Sequence, residues 1–257
     1  AYTFMVTYDE VSQLPLLNTY TNGQAAYSLR KLNSSYSGAA INVRRTGPNP
    51  ASQDIGFTAS GELDTAAIVA FCQFNDGFVQ TWYDQSGNGR NATQSTTTLQ
   101  PQIYSSSGVF TVNGKPAVYF DDDYLDTAAF APNPNHEVNA AGVVQFDNVT
   151  SRQSAASQWG SSGQQNFFFQ MQEVVVGMRF GYRYTDGTLP YEDQVATATA
   201  DTQYLMSAKF EQGDIHVLYN NAAGSQTNTP SSGARPNNVS RALRLGGLSS
   251  NTTQNMH

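Results

Sequence analysis

Residues Tyr204–Tyr219 read YLMSAKFEQGDIHVLY. Two runs rich in aromatic and β-branched residues, Tyr204–Phe210 and Ile215–Tyr219, flank Gln212-Gly213-Asp214, the signature of an antiparallel hairpin. The same grammar extends outward in both directions. Ile41–Arg45, Phe78–Tyr83, Val138–Phe146, Asn166–Gln172, Val174–Tyr184 and Arg241–Gly246 are further short strand-like runs. Val109–Val112 and Ala117–Phe120 flank Asn113-Gly114, a strong tight-turn signal. Many short strands with regular turns imply an all-β sandwich or barrel rather than βαβ units.

Two short helices are expected near the N-terminus. Ala25, Leu29, Leu32 and Tyr36 recur at helical spacing over Ala25–Tyr36. Ala67, Phe71 and Phe74 share a face over Leu63–Phe74, with Asp64 placed to cap the first turn. Gly224–Asn238, rich in Ser, Thr, Asn and Pro, reads as a long exposed loop. The expected core is Leu29, Leu32, Phe71, Val79, Val118, Phe120, Val143, Phe168, Met206, Val217 and Leu245. Residues 1–15 read as a lead-in and 16–257 as one sandwich domain. The polar tail after Gly246 suggests that a final strand comes from further chain or from a partner, in an oligomer.

Composition narrows the function classes. Only 13% of the 257 residues are charged, against roughly 25% in ordinary globular chains, while Tyr and Phe number 14 each. A net charge of −7 argues against nucleic acid and anionic membrane as partners. No apolar run approaches the roughly 18 residues that cross a bilayer. The single cysteine, Cys72, lies in an apolar stretch and reads as a small buried hydrophobe. His136, His216 and His257 are scattered without metal-type spacing.

Trp82–Asn91 reads WYDQSGNGRN, preceded by AYSLRKLNSSYSGAAINVRR and followed by NGKPAVYFDDDYLD. From the residues alone the motif is a turn. Asp84, Ser86 and Asn88 can each bond amides two positions on, and Gly87 and Gly89 allow positive φ. In combination, these stretches resemble concanavalin-A-like, LamG-type jelly-roll domains of phage virion and bacterial surface proteins, a resemblance that implies an all-β, two-sheet antiparallel jelly-roll sandwich. YDQSGNG is also similar to the catalytic domain of family 54 α-L-arabinofuranosidases. That second resemblance places one catalytic carboxylate after a Gly-Gly pair, where this chain has Gly246-Gly247-Leu248. The other belongs in a Met-Glu-Asn-Asn segment, which has no counterpart near Val174–Asp186. The family's adjacent Cys pair is also missing.

These departures lead to the expectation of a non-enzymatic module, virion-surface or extracellular, that binds glycan or serves structurally beside other virion or surface proteins. The alternative is a glycoside hydrolase of α-L-arabinofuranosidase type acting on polysaccharide. Sugar recognition needs aromatic faces with planar polar side chains. Gln158, Trp159, Tyr182, Tyr184, Asp186 and Tyr191 offer that mixture for a polysaccharide or cell-surface glycan. Asp121, Asp122, Asp123 and Asp126 form a carboxylate-rich turn of the kind that coordinates calcium. No other cofactor is implied. Glu173, Glu192 and Asp193 read as solvated turn acids.

Overall fold

Strand alternation sets the architecture. In the computed structural model, residues 15–132, 138–161, 163–172, 177–189, 191–194, 198–211, 214–219, 222–227 and 237–248 are described. The chain opens with a one-turn helix, α1 (Leu16–Thr19), followed by an extended segment up to β1 (Ile41–Arg45) and β2 (Ala51–Ile55). Helix α2 (Thr65–Cys72) leads into β3 (Gly77–Trp82) and β4 (Ala92–Thr93). Short pieces follow: β5 (Gln102–Ser105), β6 (Gly108–Val109), β7 (Thr111–Val112), β8 (Lys115–Pro116) and β9 (Leu125–Asp126). The second half holds β10 (Val138–Phe146), β11 (Gln153–Ser157), β12 (Phe167–Gln172), β13 (Gly177–Tyr182) and β14 (Tyr191–Gln194). It closes with β15 (Thr202–Glu211), β16 (Asp214–Tyr219), β17 (Ala222–Thr227) and β18 (Arg244–Leu245).

All strand pairings described are antiparallel. The large sheet runs β14-β13-β12-β11-β18-β9-β4-β3-β1-β2, with β5 and β6 attached at β3. The small sheet runs β10-β15-β16-β17, and β7 and β8 pair separately across the turn at Asn113 (φ 50°) and Gly114 (φ 74°). The protein is therefore an all-β antiparallel sandwich, as the hairpin grammar predicts. β10 spans the predicted residues end to end.

One face of the large sheet is the core face. Its β11–β13 half packs Phe167, Phe169, Met171, Phe180 and Tyr182 against Phe146, Tyr204 and Met206 of the small sheet. Its β1–β9 half packs Ile41, Val43, Val79, Ala92 and Leu125 against Ile68 and Cys72 of α2. Tyr27 and Leu245 touch both clusters and join them. Burying each such side chain stabilises the fold by about 1.5–3 kcal/mol. Asp64 caps α2 by accepting from Ala67 N at 3.0 Å.

Several sequence expectations are corrected here. Ala25–Tyr36 is not a helix. Its backbone is held in extended form by two buried side chains of the YDQSGNG turn. Asp84 Oδ1 accepts from Ala26 N at 2.9 Å. Gln85 Oε1 accepts from Leu32 N at 2.7 Å, and Gln85 Nε2 donates to the carbonyls of Ser28 and Arg30. Long-range partners for these amides outweigh the local helical spacing. Leu29 and Leu32 end half-buried.

Helix α2 stops at Cys72 because Gln73 turns to φ 56°, which throws Phe74 out to 90% exposure. Val143 belongs to the outer face of the small sheet and is 62% exposed, opposite Leu205 at 53%. Phe71, Val118 and Leu245 are half-buried, Val79, Phe120, Phe168 and Met206 are buried, and the side chain of Val217 lies outside the described residues. Part of the segment read as a loop, Gly224–Asn238, is strand: β17 reaches Thr227. From Ser249 on, the tail expected to precede a missing strand lies outside the described residues, as do His136 and His257.

Candidate functional site

Register places a polar row on the other face of the large sheet. Asp54 on β2 stands opposite Asn42 on β1, Asn42 opposite Thr81 on β3, and Thr81 opposite Thr93 on β4. Thr93 stands opposite Asp126 on β9, which faces Arg244 on β18 and then Ser157 on β11. Directly opposite residues point to the same side of a sheet, so these side chains share one face.

From β11 onward that face is covered. Phe168, Trp159 and Leu248 form a small apolar cluster, with Trp159 and Phe168 edge to face at 5.2 Å. Over β3, β4 and β9 the side chains border open clefts instead.

The first cleft, about 360 Å³, is bordered by Gln80, Thr81, Thr93, Gln94, Tyr124 and Asp126. Arg244 grips Asp126 with two hydrogen bonds, 2.9 Å to Oδ1 and 2.7 Å to Oδ2, and lies over the Tyr124 ring at 3.6 Å. The second cleft, about 540 Å³, is bordered by Arg44, Phe78, Gln102, Tyr119, Asp121 and Asp123. The turn Thr96–Gln100 divides them. Gln100 Nε2 donates to Gln94 O at 2.6 Å, and its Oε1 accepts from Arg44 Nε at 2.6 Å. Tyr119 is 40% exposed and its ring stacks on Phe110 at 5.5 Å, leaving a flat aromatic surface beside the second cleft.

Asp123 is the titratable group that stands out. It is 8% exposed, and burial pushes its carboxyl up to about 6. The hydrogen bond from Asp121 N (3.2 Å) opposes that rise, and the charges of Asp121 and Asp122 add to it. A carboxyl held protonated into the mildly acidic range is suited to general-acid chemistry.

The sequence-predicted residues fare differently. Gln158 is fully buried and its Nε2 donates to the carbonyls of Phe130 and Arg241. Tyr182 is 1% exposed in the main core, where its hydroxyl donates to Asn237 O, and Tyr184 is buried beside it. These three are interior side chains that a polymer cannot reach, because the alternation that pairs Tyr182 with Tyr184 points both inward. Trp159 is 8% exposed and covered by Leu248 and Phe168. Asp186 closes an exposed turn by accepting from Thr188 N, and Tyr191 opens β14 at the sheet edge.

The four aspartates are split. Asp126 is committed to Arg244 on the first cleft, Asp121 and Asp123 border the second, and Asp122 is exposed at the turn between them with φ 56°. Among the described residues, no group of three or more His, Cys, Asp or Glu is gathered where it would hold a metal ion. Asp84 is a knot rather than a site. Its carboxylate, 4% exposed, accepts from Ala26 N, Ser86 N, Ser86 Oγ and Arg90 N. The cleft residues Gln80, Thr81, Thr93 and Gln94 carry no motif. Gln80 and Thr81 are adjacent in sequence, as are Thr93 and Gln94, so no single strand phase picks them out.

Comparisons with known proteins can be set on this geometry. The family model described as alpha-L-arabinofuranosidase B, catalytic, matches residues 18–114. A solved arabinofuranosidase complexed with arabinofuranosyl-α-1,2-xylobiose is similar in structure, with a TM-score of 0.60 and 16% identity. A GH54 α-L-arabinofuranosidase soaked with a cyclic sulfate inhibitor is similar too, with a TM-score of 0.61 and 16% identity. Each match covers 90% of this chain and 56% of the other, so the chain spans little more than half their length. No curated protein matches the chain in sequence.

These findings correct the functional expectation. The expectation of a non-enzymatic virion or lectin-like surface module gives way, because both the family model and the solved neighbours are arabinofuranosidases. The expectation of a non-enzyme rested on Leu248, the missing Met-Glu-Asn-Asn segment and the missing Cys pair, and each of these speaks only for its own position.

Proposed function

We propose that this chain is the catalytic domain of a glycoside hydrolase of α-L-arabinofuranosidase type, acting on a polysaccharide outside the cell. The observation that carries the reading is the family match over residues 18–114, a span that supplies β1 to β4 and the turn between both open clefts.

Glycoside hydrolysis needs a proton donor for the leaving oxygen and a second carboxylate near the same bond. Leu248 occupies the place the resemblance gives to one carboxylate, so the donor in this chain stands elsewhere. Asp123 is that donor in this reading, since burial keeps it protonated up to about 6. Asp121 borders the same cleft and is the second carboxylate. The exposed ring of Tyr119 gives the C–H face of a sugar a surface, and Gln102 offers an amide to its hydroxyls.

The test is release of 4-nitrophenol from 4-nitrophenyl α-L-arabinofuranoside and of arabinose from arabinoxylan. Turnover by the parent, reduced about 10²–10⁴-fold in Asp123→Asn, is expected. A parent inert on both substrates sinks the hydrolase reading, and equal turnover by the variant sinks the assignment of Asp123.

A further inference from the structure

The first cleft takes no part in the chemistry assigned to Asp121 and Asp123, yet its walls are ordered for binding. It sits over β3, β4 and β9, where, among the described residues, no second layer covers the sheet. Thr81, Thr93, Asp126 and Arg244 lie directly opposite one another on four successive strands. Three strand spacings carry that row across roughly 14 Å, longer than one sugar ring. Hydroxyl, hydroxyl, carboxylate and guanidinium therefore follow one another in a line along a single face.

The polar groups at the far end are held in place before any ligand arrives. Arg244, whose side chain is 11% exposed, holds both carboxylate oxygens of Asp126 and lies over the ring of Tyr124. Gln94 is fixed as well: its Oε1 accepts from Thr96 N at 3.0 Å and its Nε2 donates to Tyr124 O at 3.3 Å. Groups immobilised in the free protein lose little entropy on binding, which favours affinity. Asp126 keeps 32% side-chain exposure and borders the cleft, and each carboxylate oxygen has a lone pair beyond the one it gives to Arg244.

Charge selects the ligand class. The carboxylate that borders the cleft is already neutralised by a bidentate arginine, and the other walls are amides, hydroxyls and a phenol ring. Among the described residues that border the cleft Asp126 is the one charged side chain, so a negatively charged sugar would meet a carboxylate there. An uncharged, hydroxyl-rich unit meets acceptors, donors and a ring.

We propose that this cleft is a second glycan subsite, which holds neutral glycosyl units of the polymer whose bond is cleaved beside Asp123. The inference rests on the hydrolase reading and adds to it a polymer-holding face on either side of the Thr96–Gln100 turn.

Native gel electrophoresis through neutral arabinoxylan, with polygalacturonate as the charged comparison, tests it on the intact chain. Thr93→Trp and Ser95→Trp each fill the cleft from an exposed position, and thermal melts show whether they fold as the parent does. Arabinoxylan should retard the parent, polygalacturonate should not, and both variants should lose at least fivefold in affinity. Variants retarded like the parent overturn the subsite, as does a parent that arabinoxylan leaves unretarded or that polygalacturonate retards equally. Hydrolysis of the aryl arabinofuranoside by the parent is read separately. Hydrolysis with cleft-independent retardation removes the subsite alone, while inertness with cleft-dependent retardation removes the hydrolase reading alone.

Discussion

Replacing Asp123 with Asn probes a carboxyl that burial has largely withdrawn from water. Its proton is held from an ordinary 3.8 up to about 6, chiefly by burial. At about 1.36 kcal/mol per tenfold change in proton affinity, that difference is worth up to about 3 kcal/mol. The direction follows from linkage. In the unfolded chain the carboxyl loses its proton near its ordinary value, while the folded protein keeps it until about 6. Across that window the native state binds more protons, so stability falls as pH rises and then levels off.

Asparagine does not ionise, and its amide oxygen still accepts from Asp121 N. Urea unfolding of parent and Asp123→Asn at pH 4 and pH 8 isolates the effect. The two proteins should be nearly equal at pH 4, and the variant should be more stable by about 2–3 kcal/mol at pH 8, with unchanged m-values. A difference that stays constant between the two pH values would refute the reasoning. It would mean that Asp123 ionises in the folded state much as it does in the unfolded one.

Other predictions follow from the same geometry. If Asp123 donates the proton, kcat for the aryl arabinofuranoside should fall as pH rises through about 6; a flat profile across that range removes it as the acid. Asp84→Asn puts an amide where four donors converge and should destabilise by about 2–4 kcal/mol in chemical unfolding. Gly246 has φ 83°, and a Cβ there would stand 2.3 Å from the Phe120 ring and 2.9 Å from Asp123 O. Gly246→Ala should therefore cost more than about 1 kcal/mol and lower the thermal midpoint. The thiol of Cys72 is buried and pushed up to about 11, so a thiol reagent at pH 8 should label the protein only after denaturation.

Hydrophobic phase and turn chemistry made much of the sandwich legible. The Tyr204–Tyr219 hairpin, β10 and the Asn113-Gly114 turn follow from local patterns that tertiary contacts reinforce. The first predicted helix was not legible because its hydrogen-bond partners, Asp84 and Gln85, lie more than fifty positions away. Tyr182 and Tyr184 looked like sugar platforms because alternation says that two residues share a face without saying which face is covered. The clefts escaped notice for a related reason. Thr81, Thr93 and Asp126 become neighbours only through pairing between distant strands, and nothing in their own segments marks them. Leu248 was legible as a departure from the arabinofuranosidase pattern, but a single departure does not say where else a carboxylate can stand.

The clamp made by Asp84 and Gln85 has a consequence in time. Residues 20–40 have no regular helix or paired strand of their own, apart from a lone bridge at Arg30. Amides of Ala26 and Leu32 and carbonyls of Ser28 and Arg30 are bonded across separations of 53 to 58 positions. Closing loops that long costs entropy before any contact repays it. The segment thus lacks its Asp84 and Gln85 partners until β3 and its turn are in place, and it joins late on the folding route. Substitutions within it should hasten unfolding and leave the refolding rate nearly untouched, so a stretch that precedes its partners in the chain is secured after them.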